Sequence, residues 1–528
     1  MVSEKPDDKE HGIVFVIGFF FFQKYCYSET MFLKGLTEKK PQFIIKRKMH
    51  LIIQEGILRK YTGDPKMERN TSYFFIPFSY KREFHEIIGK INSNQNWELI
   101  GDRINYMFKY VADKLDSNNE NECRCYHFLL KKEARDRLYI AGLNSEFELL
   151  ENHPEKGKIH FAFTLQKVHL YCFATGIGIL AFQISYRNAD PYYIANAQYY
   201  MKKISRTKIH TNQGSMVSGR DDIDTLLKLA EYILSDIKNE FKCEFFFYSN
   251  KERERSNILT YIEVPAMENT QQKLFFLKRS VGDTFQYIEN KEQEKRETYV
   301  HSEKVEWGFS PESAACLVLH RKDAENHFVD KVFYRNFHSQ YLFMYVLLLH
   351  QKYVLYLFLT QIGIGEYTDH RSLEQYKNDL YEFETNYVFS CITEVPQYQE
   401  LYNKMYEVFA LREMYEDVRE PLQSLAEIRR ENVEKQLKEN DEQINKALIL
   451  LSFFSVFSAF VDSFDFAQSF FETFFGNRID DIVIKSVQLG CTVLIFATFI
   501  YVIYKLRVID RRKKKTEQKN EGNKHCRC

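Results

Sequence analysis

Six small polar or acidic residues recur along an apolar segment near the end of the chain, in a pattern that could attract cations. They follow one another at spacings of three or four positions: Ser452, Ser455, Ser458, Asp462, Asp465 and Ser469. Such spacing places side chains on one face of an α-helix. Carboxylates gathered on one face favour cation entry, as acidic rings do in channels. This polar stripe predicts a pore lining, and close packing against another helix is the alternative.

Two apolar segments must position the polar stripe, and we predict transmembrane helices at 447–471 and 483–505. The second contains an uncharged run at 486–504, which is about 28 Å of helix and close to the bilayer core in thickness. The first is uncharged only over 447–461 and spans a bilayer only by continuing past Asp462 and Asp465. A buried soluble helix is its alternative. Because two helices cannot enclose a pore, a pore requires a homo-oligomer.

The distribution of basic residues predicts the orientation of these segments. The tail at 506–528 is basic, and lysines and arginines also precede the first segment. The connecting loop at 472–482 carries a single arginine, Arg478. Because positive residues stay on the cytoplasmic side, we expect both termini in the cytoplasm and the loop outside.

A third apolar stretch, 341–360, is long enough to cross a bilayer but carries His350, Gln351 and Lys352 at its centre. A charge at the centre of a membrane helix costs about 2.5–3.5 kcal/mol on translocon scales. We therefore predict a buried helix of a soluble domain here, with a membrane crossing as the alternative.

Residues 381–446, between the soluble region and the first apolar segment, are predicted to form stalk helices. From 422 to 446 the chain lacks glycine and proline and is rich in strong helix formers. Pro421 suits a first helical turn or a kink. A helix continuous with the first apolar segment could transmit a movement to the polar stripe, and a plain connector helix is the alternative.

Residues 1–380 are predicted to form an α+β domain of one or two subdomains. Gly176 and Gly178 mark a tight turn between two strands. Strands are predicted from β-branched and aromatic runs at 13–22, 43–53, 73–78, 158–165, 169–173, 177–185, 243–248, 259–264 and 273–277. Helices are predicted at 104–115, 191–204 and 223–237.

Several classes of function find no support in the sequence. The 528 residues have a formal net charge of zero, which argues against direct binding to nucleic acid. The motifs GxSxG, GxxxxGK[ST], HExxH and GxGxxG are absent, so we assign no catalytic residue and expect no enzyme. The ten cysteines form no CxxC pair, which favours a reducing compartment, and no metal ligand is assigned.

The order of these elements, from a large α+β domain to two terminal apolar segments and a basic tail, resembles the CorA-like divalent-cation channel superfamily. Three stretches also resemble the enlarged bacterial CorA-like proteins: LYCFATGIGILAFQI at 170–184, YLFMYVLLLHQKYVLYL at 341–357, and the stretch from 394 through both apolar segments. The family's Gly-Met-Asn signature is absent, and its place is taken by Ala467, Gln468, Ser469 and Phe470.

This resemblance implies a CorA-like fold and a homopentamer in the lipid of the bacterial inner membrane, conducting Mg²⁺ or another cation. The subgroup without the signature is associated with type III CRISPR defence. The resemblance therefore also implies an antiviral membrane effector that answers a nucleotide second messenger, S-adenosylmethionine joined to AMP (SAM-AMP). No residue is assigned to its binding. A divalent-cation transporter without the signature and a non-conducting membrane-anchored binding protein are the alternatives.

Overall fold

The computed structural model describes residues 69–508, apart from 82, 102–105, 116–122, 143–144, 154–156, 213, 247–253, 283, 321–327, 365–369, 476–481, 484, 487–488, 491–492, 495–496, 502–503 and 506–507. The predicted strands at 13–22 and 43–53, and the tail beyond residue 508, lie outside these described residues. The chain divides into two compact units, Met1–Leu422 and Gln423–Cys528.

The strands of the described residues are β1, Asn70–Ser79; β2, Trp97–Ile100; β3, Cys125–Leu130; β4, Glu146–His153; β5, Gly157–Phe173; β6, Ile177–Tyr186; β7, Ile209–Thr211; β8, Glu244–Phe245; β9, Asn257–Val264; β10, Thr298–Ser302; β11, Val305–Phe309; and β12, Ser313–Leu319. They form one 12-stranded sheet in the order β10-β11-β12-β9-β1-β6-β5-β3-β2, with β4 paired to β5 and β7, and β8 paired to β1. Strands β12 and β9 are parallel.

The helices are α1, Phe84–Ser93; α2, Lys109–Leu115; α3, Lys132–Arg137; α4, Pro191–Met201; α5, Leu226–Ile233; α6, Ser235–Lys238; α7, Thr270–Arg279; α8, Lys291–Glu297; α9, Tyr334–Asn336; α10, Leu342–Ile364; α11, His370–Tyr387; α12, Pro396–Val408; and α13, Leu411–Phe475. Two π-helical turns, Phe328–Phe333 and Phe337–Tyr341, flank α9. We call residues 328–341 the π-helical segment. Because π-helical turns are rare and concentrate at functional sites, this segment is a first pointer to function.

Each face of the sheet carries its own hydrophobic core. Since successive strand residues point to opposite faces, Leu170 and Cys172 of β5 enter one core, whereas Tyr171 and Phe173 enter the other. Apolar residues of α1, α4, α5 and α7 complete the first core. The second core contains residues of the π-helical segment, α10, α11 and α12. A large sheet with helices on both faces confirms the predicted α+β class of this unit.

The predictions of individual strands and helices have mixed outcomes. Those at 73–78, 158–165, 169–173, 177–185 and 259–264 are confirmed within β1, β5, β6 and β9. The strand at 273–277 is wrong, because α7 covers these residues. Leu274 and Leu277 lie three positions apart and are both buried there, so the apolar run follows a helical period rather than alternation.

Helix α10 forms much of the second core. Its apolar stretch is confirmed as helical, and the helix Lys331–Ile362 is long and apolar enough to cross a membrane, although 78% of its apolar window is buried inside the protein. The polar residues at its centre bind protein groups: His350 Nε2 lies 2.7 Å from Thr175 Oγ1. Gln351 Nε2 donates to the carbonyl of Tyr387 at 2.6 Å. Burial inside the unit therefore accounts for this helix, as the sequence predicts.

The long helix α13 forms the second part of the predicted stalk and continues beyond it. It begins at Leu411, so Pro421 lies inside the helix, which excludes the first turn and leaves the kink as the alternative that the sequence suggested. Before it, α12 and the start of α13 contribute Leu401, Tyr402 and Leu411 to the second core. The predicted continuity with the first apolar segment is present, because α13 ends only at Phe475.

The turn predicted between β5 and β6 is present, and its two glycines have separate roles. Gly176 has a φ of +81°, which glycine adopts without strain. Gly178 lies opposite Phe78 in the register of β1 and β6. A Cβ atom at Gly178 would lie 2.2 Å from Cζ of Phe78, so the backbone approaches this ring closely.

We expect Gly178→Ala to destabilise the sheet, because the added methyl group must displace the Phe78 ring in a packed core. Overpacking of this kind costs about 1–3 kcal/mol. The midpoint of urea denaturation measures the change. The matched control is Gly89→Ala in α1, where an added Cβ meets no atom within 4 Å. A Gly178→Ala protein as stable as the control would contradict the close approach.

Candidate functional site

The polar stripe lies on α13, within the second unit. All six members are helical and exposed in the single chain, as expected for a face that awaits a partner or water: Ser452, Ser455, Ser458, Asp462, Asp465 and Ser469. The hydroxyl of Ser452 donates to the carbonyl of Leu448 at 2.8 Å. Serines in apolar helices satisfy their hydroxyls in this way, whereas a carboxylate cannot. Asp462 and Asp465 therefore remain the charged members of the stripe.

A contact inside the second unit shows which side of α13 is covered. The described residues of the predicted second span are helical. The rings of Phe453 and Phe499 meet with centroids 4.7 Å apart. On an ideal helix with about 100° between successive residues, Phe453 lies roughly opposite the polar stripe. Among the described residues, the ring contact with the following helical stretch therefore lies on the side of α13 away from the polar stripe.

The second unit also exposes large apolar side chains on α13 and on the helical stretch that follows it. Large apolar side chains exposed on α13 include Leu451 at 62%, Phe454 at 60% and Val456 at 70%. In the following helical stretch, Leu489 and Leu494 are 69% and 66% exposed. Exposed apolar surface of this extent marks a membrane or protein contact.

The first unit contains a separate cluster of polar side chains on the sheet face below the π-helical segment. Lys167, Gln183 and Tyr73 are paired across three adjacent strands, β5, β6 and β1, and so stand in one row. The β5–β6 register shifts between Leu165 and Lys167, which is a β-bulge. Bulges re-aim side chains and are frequent beside functional sites. We call this the sheet cluster: Tyr73, His127, Lys167, His169, Gln183 and His338.

Hydrogen bonds connect the sheet cluster into two short chains. His127 Nε2 lies 2.9 Å from His169 Nδ1, and His169 Nε2 lies 3.2 Å from Gln183 Oε1. Because the Gln183 oxygen can only accept, His169 carries its proton on Nε2, and His127 donates to Nδ1. From the π-helical segment, His338 Nδ1 meets the hydroxyl of Tyr73 at 2.5 Å. The sheet and the segment are thereby joined through one imidazole.

Burial and the nearby ammonium of Lys167 disfavour a positive charge on the histidines of the sheet cluster. Solvent reaches the Lys167 side chain, yet the atoms packed around it lower the pKa of its ammonium by desolvation. Burial lowers the pKa of His169 well below its ordinary value, and His127, Lys167 and His338 lower it further. Arg69 lies nearby but is neutralised by Glu263 at 2.8 Å. His169 is therefore neutral at physiological pH.

Several donors of the sheet cluster lack an acceptor. Burial raises the pKa of the Tyr73 phenol, so its hydroxyl keeps the proton and donates to His338 Nδ1. The proton of His338 is then on Nε2, a buried atom without a hydrogen-bond partner among the described residues. Lys167 forms no hydrogen bond or ion pair with any described residue. No cluster of three metal-ligating side chains occurs in the part of the chain that the structure describes.

Sequence reasoning found the polar stripe but missed the sheet cluster. Lys167 and His169 alternate in β5, which places both on the face opposite Val168 and Leu170. That alternation was the available indication. The contribution of His338 carried no local indication, because it is 265 residues from Tyr73 in sequence.

In comparisons with known proteins, no family model, no curated protein and no solved structure matches the chain.

Proposed function

We propose that this protein is a homo-oligomeric CorA-like membrane channel or membrane-disrupting effector, in which the α+β unit binds a ligand and the polar stripe conducts cations. In this proposal 447–471 and 483–505 cross the bacterial inner membrane, and both termini lie in the cytoplasm. The pentamer is the assembly that the resemblance to the superfamily favours.

The observation that carries the proposal is the arrangement around α13. One helix begins in the first unit at Leu411 and continues to Phe475. On its course the stripe residues are exposed, while Phe453, on the other side, contacts Phe499 of the next helical stretch. Copies assembled about an axis would direct Asp462 and Asp465 inward and their second helices toward lipid.

The ligand in this proposal is a nucleotide second messenger. SAM-AMP is the candidate, and an antiviral role in type III CRISPR defence is the setting; both come from the resemblance alone. The absence of the Gly-Met-Asn signature at 467–470 disfavours constitutive magnesium uptake, so a gated effector is favoured over a housekeeping transporter.

The test is cation flux from liposomes that contain the purified full-length protein, with and without SAM-AMP. We expect flux that rises on addition of the nucleotide and a protein that is oligomeric in detergent. Flux that is independent of nucleotide would favour a divalent-cation transporter. A monomeric protein without flux in either condition would overturn the channel and leave a membrane-anchored binding protein.

A further inference from the structure

The donors of the sheet cluster have a common chemical requirement. Lys167 brings an ammonium group without an ion-pair partner among the described residues, and His338 brings a buried Nε2 proton without an acceptor. Gln183 donates no hydrogen bond to a described residue, although its carbonyl oxygen accepts from His169. Lys167 is exposed to solvent, whereas His338 Nε2 is buried, and buried donors are normally satisfied. The unmatched Nε2 proton of His338 therefore indicates a missing acceptor, which Lys167 and Gln183 can help to hold.

We infer that the sheet cluster binds a phosphoryl oxyanion, with Lys167, Gln183 and His338 as its donors. This inference deepens the proposed function by assigning its ligand site, and it rests on that function only for the consequence of binding. A tetrahedral oxyanion has several acceptor oxygens, which can accept hydrogen bonds from donors on β5, β6 and the π-helical segment.

The geometry favours an anion over the other ligands that imidazoles bind. A metal ion would need a third ligand near His127 and His169, but their facing nitrogens already bond each other at 2.9 Å. A cationic ligand would meet Lys167. A purely structural role would leave the buried Nε2 proton of His338 with a protein acceptor, as Gln351 has in α10. His338 Nε2 has none among the described residues.

The location of the sheet cluster would allow ligand binding to change the conformation of neighbouring elements. Lys167 and Gln183 are in the sheet, whereas His338 lies in the π-helical segment, which leads directly into α10. An anion held by all three would tie this segment to the sheet more firmly. The shared chemistry fits inorganic phosphate and the phosphate group of a nucleotide.

The experiment is isothermal titration of the full-length protein in detergent with inorganic phosphate and with AMP. We expect Lys167→Gln to weaken binding about tenfold or more, because a charge-assisted hydrogen bond is lost. Lys167→Arg should restore most of the affinity. The control is Lys304→Gln, which removes an exposed charge from the turn between β10 and β11.

A second variant, His338→Phe, removes the free donor and keeps an aromatic ring, and its thermal unfolding midpoint reports whether it folds.

Tighter binding of AMP than of phosphate would support a nucleotide ligand, and equal binding would support a free phosphate; both support an oxyanion site. Equal affinity in wild type and Lys167→Gln, or no binding of either probe, overturns the inference. Binding without an effect on liposome flux would instead overturn the proposed gating and leave the site intact.

Discussion

Replacing both aspartates of the polar stripe, as Asp462→Asn with Asp465→Asn, is expected to reduce cation flux about tenfold or more in reconstituted liposomes. Rows of like charge in a confined path raise the local concentration of counter-ions by about tenfold to a thousandfold. The amide keeps the size and hydrogen bonding of each side chain but removes its charge. The preference for cations over anions should therefore fall together with the flux.

This prediction needs a control for charge on the same helix. Glu439 is exposed on α13 but lies before the predicted first span. Glu439→Gln should leave both flux and selectivity unchanged. Size-exclusion chromatography in detergent shows whether the double variant still assembles. An assembled double variant with wild-type flux would exclude the stripe as the pore lining and favour its packing role.

Replacing Trp307 by alanine is expected to destabilise the first unit by about 3–5 kcal/mol, the usual loss for a buried tryptophan. Trp307 is 1% exposed. Its ring centroid lies 5.9 Å from that of Phe337 and 5.2 Å from that of Tyr341, both in the π-helical segment. Its loss leaves a cavity between β11 and this segment. Urea denaturation followed by far-UV circular dichroism measures the change.

Trp307→Phe separates volume from hydrogen bonding. The indole Nε1 is buried without a hydrogen-bond partner among the described residues, so phenylalanine loses no bond and removes an unsatisfied donor. We expect it to be much less destabilising than alanine. Tyr381→Ala, at a side chain that is 70% exposed on α11, should change stability by about 0.5 kcal/mol or less. Alanine and phenylalanine variants of equal stability at position 307 would contradict this packing.

The two variants also connect stability to the candidate sites. Trp307 supports the π-helical segment, which carries His338, but it does not belong to the sheet cluster. The Trp307→Phe protein should therefore bind phosphate as wild type does. The aspartate variant should bind phosphate normally as well, because Asp462 and Asp465 lie in the other unit.

Local pattern was sufficient for the features that depend on neighbours in the chain. The spacing of the stripe residues predicted one face of a helix, and α13 places them on one. The β5–β6 turn could be predicted in the same way, because a glycine between two apolar runs is a local feature. The positive φ of Gly176 agrees with this prediction. The apolar stretch at 341–360 was read as a buried helix because its polar centre disfavours lipid, and 78% of its apolar window is buried.

Prediction from local pattern failed where an apolar run fits both a helix and a strand, or where the contacting residues are distant in sequence. Residues 273–277 are an apolar run too short to distinguish a strand from a helix, and contact with the first core decides for α7. The start of α13 at Leu411 depends on its docking with the second core. No sequence rule predicts such docking, because most of the free energy that stabilises a helix in a protein comes from burial against other elements.

The sheet cluster could be assembled only by the tertiary structure. Lys167 faces Gln183 because a bulge shifts the β5–β6 register, and Gln183 faces Tyr73 through the β1–β6 pairing. His338 reaches Tyr73 across 265 residues of sequence. Strand register and helix docking are long-range contacts whose free energy is shared among many residues. The polar stripe, in contrast, depends only on the pitch of one helix and could therefore be predicted from the sequence.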